Sequence, residues 1–158
     1  MPGNEHEILA EARHALGGLE CFRRMITGEL PLPPLAAVMG FRLLEVTEGR
    51  IVFEADPLPA FYNGLGSIHG GFAATLLDTS LGGAVNTTMG PGRAYATVDL
   101  KVTLIRSLRR EVGKVRCIAT AIQTGSRLAT AEGRIVDAHD KIYAHGTATC
   151  MAVETQGA

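Results

Sequence analysis

One stretch of this 158-residue chain concentrates side chains and backbone positions able to do chemistry. It reads Phe61-Tyr62-Asn63-Gly64-Leu65-Gly66-Ser67-Ile68-His69-Gly70-Gly71 and leads into an apolar run that carries Asp78. Eight of the nineteen glycines fall between Phe61 and Arg93. His69-Gly70-Gly71 stands at the start of a predicted helix, where the first N–H groups have no intrahelical partner. Glycine there lets a ligand reach the backbone, and the helix dipole favours developing negative charge. That is the physics of an oxyanion hole, in which one donor is worth ~2.7–4 kcal/mol to a transition state. The same two glycines equally fit tight packing of loop against helix.

Asp78 is the second feature, the single charge within Ala73-Ala74-Thr75-Leu76-Leu77-Asp78-Thr79-Ser80-Leu81. A carboxylate on a buried helix is costly unless paired or hydrogen-bonded. Such groups are often functional, although a hydrogen bond to a neighbouring Thr or backbone group is the plainer reading. At about 100° per residue, position 78 lies roughly opposite position 69. One chain's His69-Gly70 and Asp78 therefore do not meet easily, and a site using both needs two copies of the chain.

Other candidates carry less. Gly64-Leu65-Gly66 does not continue as GxGxxG and is not a dinucleotide fingerprint. His145 sits in a predicted strand and reads as structural. His6, His14 and His139 lack ligand-like spacing to carboxylates or cysteines, so no metal site is expected. No GxSxG elbow or Cys/His nucleophile pairing is present. Arg106, Arg109 and Arg110 near a strand end have the chemistry to hold phosphates, or simply form a solvated turn.

These groups must be positioned by an α+β arrangement. Residues 5–27 have helical apolar spacing, and Gly17-Gly18 divides them into two short helices. Leu30-Pro31-Leu32-Pro33-Pro34 reads as an extended connector. Phe41–Thr47 and Arg50–Ala55, separated by Glu48-Gly49, give a hairpin signal. Gly71–Val85 is a mostly buried helix. Four strands follow: Tyr95–Ile105, Val112–Gln123, Arg127–Asp137 and Lys141–Val153, expected as an antiparallel meander. In the first, Ala96, Val98, Leu100, Val102 and Leu104 alternate onto one face, with Thr97, Asp99, Lys101 and Thr103 on the other. A helix this apolar needs cover on most sides, which a sheet wrapped around it provides.

Composition narrows the function classes. Apolar residues make up 46% and charged residues 20%, with a net charge of −1, so one domain with a sizeable core is expected. Near-neutral charge, no Trp and 5% aromatics give neither the basic field nor the stacking platforms of a nucleic-acid binder. Cys21, Cys117 and Cys150 are widely spaced without CxxC and read as reduced core thiols. The longest mostly apolar stretch, Phe72–Val85, is too short to span a bilayer. The start, Met1-Pro2-Gly3-Asn4-Glu5-His6-Glu7, lacks the pattern of a signal peptide. A cytoplasmic protein without membrane association is the expectation.

Asn63, His69-Gly70-Gly71 beginning six positions later, and Asp78 nine positions after the histidine together resemble the PaaI-like hotdog acyl-CoA thioesterases. The similarity runs from about Pro33 to the final strand near Val153, and Tyr95-Ala96-Thr97-Val98-Asp99-Leu100 also fits. The resemblance implies a hotdog domain over 37–153, preceded by a helical extension and Pro-rich connector over 1–36 and followed by a tail over 154–158. It implies hydrolysis of an aryl or medium-chain acyl-CoA to free acid and CoA, without cofactor or metal. It further implies a homodimer with two interface sites, with dimers often paired into homotetramers. In this picture the Gly70 N–H polarises the thioester carbonyl, with Gly71 allowing the approach. His69 and Asn63 orient loop and substrate, Asp78 of the partner subunit acts as nucleophile or base, and Thr97 helps to place water. Arg106, Arg109 and Arg110 are the candidates for the CoA phosphates. A noncatalytic acyl-CoA-binding module is the alternative. A hotdog hydratase is disfavoured, because Phe61 and Gly66 stand where its Asp and His would be.

Overall fold

A computed structural model describes residues 4–156; Met1-Pro2-Gly3 and the last two residues of the expected tail lie outside them. Helices α1 (Glu5–Leu16) and α2 (Gly18–Thr27) precede α3 (Pro34–Met39), then β1 (Phe41–Thr47) and β2 (Arg50–Ala55). Helix α4 (Gly70–Asn86) is followed by β3 (Arg93–Leu104), β4 (Val115–Thr124), β5 (Leu128–Val136) and β6 (Ile142–Glu154). The expected helix break falls at Gly17, which takes φ 78°. Gly18 serves docking: a β-carbon there would overlap the carbonyl oxygen of Asn86 at the end of α4. The connector's last proline is not extended but opens α3 as its first residue, a position where the missing N–H costs nothing.

The six strands form one antiparallel sheet in the order β1-β2-β4-β5-β6-β3, with α4 packed across it. Phe72, Leu76, Leu77 and Leu81 of α4 are buried against Ile51, Phe53, Cys117 and Ile135 of the sheet. Each such side chain contributes roughly 1.5–3 kcal/mol relative to exposure. This is the expected α+β hotdog, a sheet around one long helix.

Two expectations need correction. The last four strands are not a simple meander: β3 pairs with β6 and lies at the far edge, while β4 pairs with β2. The connection over residues 105–114 is no tight hairpin: it takes the chain from β3 past β6 and β5 to β4. Val112 lies in a short 3₁₀ turn (Arg110–Val112) of that connection, and β4 starts only at Val115. The clean alternation in β3 also fails. Its register against β6 slips between Thr97 and Asp99, leaving Val98 as an exposed bulge. The extra residue changes the phase, so Tyr95 and Thr97 face α4 together with Leu100 and Val102.

Candidate active site

The loop before α4 is fixed by Asn63. Its backbone N–H donates to the Ser67 carbonyl at 2.8 Å. Its side-chain oxygen accepts from the N–H groups of Leu65 at 2.8 Å and Ser67 at 3.2 Å, and its amide donates to Ser67 Oγ at 3.0 Å. These are the local bonds by which Asn favours turns over helix or strand. The loop is tied outward as well, with His69 N–H donating to the Phe61 carbonyl at 2.7 Å and Ile68 N–H to the Leu108 carbonyl at 2.8 Å.

His69 is the N-cap of α4. Its backbone is extended (φ −60°, ψ 137°), and Nδ1 accepts from the Gly71 N–H at 2.9 Å. Among the described residues, the Gly70 N–H has no acceptor. The two glycines thus differ. Gly70 presents the free donor, whereas the Gly71 N–H is used by the cap, and a β-carbon at Gly71 would crowd His69 Nδ1 at 3.1 Å. Gly71 therefore makes room for the capping ring, not for a ligand.

Asn63, His69, Gly70 and Arg106 line one cleft of about 290 Å³, with Leu104 and Tyr143. The Arg106 guanidinium is anchored on the Ile142 carbonyl. Arg109 and Arg110 do not share this cleft. They border a neighbouring cavity of about 750 Å³, with Tyr62, Asp56 and Glu111. Both are exposed, and neither guanidinium has an ionic or hydrogen-bonded partner among the described residues. Ile68 borders both spaces. His145 is exposed on the outer face of the sheet, opposite Arg134.

Asp78 stands apart. Eight residues separate it from Gly70, roughly 12 Å of helix rise. It lies where α4 meets β3 and β6: a β-carbon at Gly82, one turn further on, would touch Thr97 Oγ1, and Thr97 Oγ1 lies 3.8 Å from Cys150 Sγ. Burial pushes the Cys150 thiol up; the Thr97 hydrogen bond opposes this and the Asp78 charge adds to it. Asp78 Oδ1 is buried and has no hydrogen-bond partner among the described residues. The plainer expectation, a bond to a neighbouring Thr, is not met: Thr75 Oγ1 donates instead to the Gly71 carbonyl at 2.9 Å.

β3 is paired only on its β6 side. At its start the Asn86 side chain receives the Tyr95 N–H and donates to the Tyr95 carbonyl, both at 2.9 Å. The sequence placed Leu104 only as a strand residue and Cys150 only as a core thiol, without their neighbours Gly70 and Thr97, and did not single out Asn86. Each depends on a neighbour distant in sequence, and no local pattern could have revealed them.

The Thioesterase superfamily model matches residues 65–144, which include His69, Gly70, Asp78 and Thr97. A Halobacterium salinarum protein provisionally named an esterase is 37% identical over 86 residues, 53% of this chain and 55% of its own length. The chain thus spans about half the length of that curated relative. A phenylacetic acid degradation-related protein of Ralstonia eutropha is 28% identical, with TM-score 0.75 over 82% of this chain and 98% of its own. The phenylacetic acid degradation protein PaaI of Thermus thermophilus is 25% identical, with TM-score 0.68 over 75% of this chain and 98% of its own. Sheet and central helix agree with these likenesses, and the chain belongs to the thioesterase superfamily as a PaaI-like hotdog protein.

Proposed function

We propose that this protein is an acyl-CoA thioesterase that hydrolyses aryl or medium-chain acyl-CoA to free acid and CoA. One observation carries the reading: a single helix offers a free N–H at its start and an unpaired, buried carboxylate oxygen about 12 Å further along. Neither has a partner among the described residues of one chain, and a thioester carbonyl attacked from the opposite side needs both.

In a homodimer, Gly70 of one protomer faces the carbonyl oxygen and Asp78 comes from the other protomer. The Gly70 N–H, with the dipole of α4 behind it, stabilises the oxyanion. His69 keeps the Gly71 amide occupied and fixes the loop, and Asn63 holds the loop's shape. With Asp78 as base, water adds to the carbonyl carbon while its proton passes to the carboxylate; Thr97 orients that water. The C–S bond then breaks, and the proton leaves with the CoA sulfur. Direct attack by the carboxylate gives an anhydride that water opens to the same products. Arg109 and Arg110, exposed and unpaired beside the larger cavity, suit the nucleotide phosphates. Arg106, held by the Ile142 carbonyl, shapes the cleft mouth. Three buried, unbridged cysteines fit a reducing, cytoplasmic setting.

The test is thiol release across a panel of acyl-CoAs. Wild-type protein turns over at least one of them, and Asp78→Ala loses about 10²–10⁴ in kcat, the usual worth of a positioned acid–base group. Equal release by the two proteins at the background rate would defeat the assignment.

A further inference from the structure

We infer that Leu104 is a specificity-determining residue that sets how large an acyl group can lie beside Gly70, an inference resting on the thioesterase reading above. Leu104 ends β3 and is 56% exposed at the cleft. Its Cδ1 lies where a side chain at Gly70 would have to go, 2.5 Å from the position of a β-carbon there. Leucine thus covers the α-carbon side of the residue that offers the free N–H. An acyl group with its oxygen on that N–H must run past this methyl group.

The backbone beneath Leu104 is fixed. The next two N–H groups, Ile105 and Arg106, both donate to the Tyr143 carbonyl at 2.8 and 3.0 Å. Only the side chain can yield, so the opening is set by residue size at position 104. The cleft carries polar groups in Asn63, Ser67, His69 and Arg106, but its buried lining is apolar. Ile68, Ala73, Leu108 and Ala144 are buried and line it. Tyr143 contributes its ring alone, because its hydroxyl donates to Asp137 Oδ2 at 3.3 Å. At about 290 Å³ the cleft stands at the low end of ligand pockets. Such a volume suits an acyl group, with the CoA left outside. A buried apolar lining discriminates by volume, where a methylene is worth ~10–200-fold in kcat/KM.

The test compares kcat/KM for acetyl-, butanoyl-, octanoyl- and benzoyl-CoA in wild type, Leu104→Ala and Leu104→Phe. Thermal melts check that both variants fold. Leu104→Ala should move the preference about tenfold toward the bulkier acyl groups, and Leu104→Phe should move it the other way. A uniform loss across the panel, or an unchanged order of preference in both variants, overturns the inference. If wild type shows no turnover of any ester, the thioesterase reading fails by itself. Calorimetric affinities for the same four esters then show whether Leu104→Ala still shifts relative binding toward bulk. An unshifted order, or no binding of any ester, overturns the role of Leu104 as well.

Discussion

Gly70 is the residue at which chemistry and backbone structure can be separated most cleanly. As the first residue of α4 it occupies the position where proline is tolerated. The residue before it, His69, already has the extended backbone that a following proline demands. Gly70→Pro therefore deletes the N–H with little disturbance of the helix. Stopped-flow or steady-state thiol release should show kcat reduced about 10²–10³-fold, the worth of an oxyanion donor. Gly70→Ala keeps the N–H and displaces only the flexible end of Leu104, and it controls for the added carbon. Equal damage in the two variants would mean that space at Gly70 matters and its N–H does not. His69 is separable in another way. Removing its ring leaves the Gly71 amide without an acceptor, so denaturant unfolding of His69→Ala should show a loss of about 1 kcal/mol, with His69→Asp recovering most of it. His69-Gly70-Gly71 was legible as a helix start in the sequence. The division of labour between the two glycines was not, because it depends on which amide the imidazole reaches.

At the scale of elements, the β3 bulge and the β5–β6 connection do the positioning. The slip at Val98 turns Thr97 toward α4, where a strict alternation would have put it on the opposite face from Leu100. Hydrophobic alternation marked the strand correctly but could not reveal the bulge, which is a property of the β3–β6 pairing. The turn between β5 and β6 is closed by Asp137. Burial raises its pKa, but hydrogen bonds from the Lys141 and His139 N–H groups and the Tyr143 hydroxyl, with the nearby His139, outweigh this and hold it low. A depressed carboxylate contributes stability that is present above its unfolded pKa of about 3.9 and lost as pH falls through the lower folded value. Melting temperatures followed from neutral pH to about pH 3 should fall more steeply in wild type than in Asp137→Asn. Parallel curves would remove Asp137 from the acid response. The hairpin β1–β2, the broken N-terminal helix and the extent of α4 were all readable, since each rests on local spacing and turn residues. The place of β3 was not, because strand order is a matter of which sheet edge is left open.

The whole molecule raises the question of the second chain. β3 runs for 12 residues at the sheet edge, with Asn86 occupying the Tyr95 backbone at one end. Open edges of this length invite pairing with another copy. A shared site makes a prediction that no single-chain site does. Asp78→Ala and Gly70→Pro, each inactive alone, should regain activity when mixed under conditions that allow subunits to exchange. In a two-fold dimer with random exchange, the recovery approaches about a quarter of wild type, because half the dimers are mixed and each mixed dimer carries one intact site. No recovery in a mixture shown to have exchanged would contradict the shared site. The protein's own thiols leave this assay undisturbed. Cys117 is pushed up to about 12 by burial, despite a hydrogen bond from Ser80, and all three cysteines are buried.

The sequence by itself determined the element types and the loop-to-helix junction at His69. Helical and strand periodicities, Gly17-Gly18 and the glycines around His69 act over a few residues. It also determined that His69 and Asp78 fall on opposite sides of one helix, since nine residues amount to half a turn beyond whole turns. Tertiary structure alone decided three things: that β3 lies beyond β6, that Arg109 and Arg110 border a different cavity from Arg106, and that Leu104 overlies Gly70. The reason is common to all three. Each depends on contacts between segments tens of residues apart, fixed by how the sheet closes around α4 and not by any pattern within a segment.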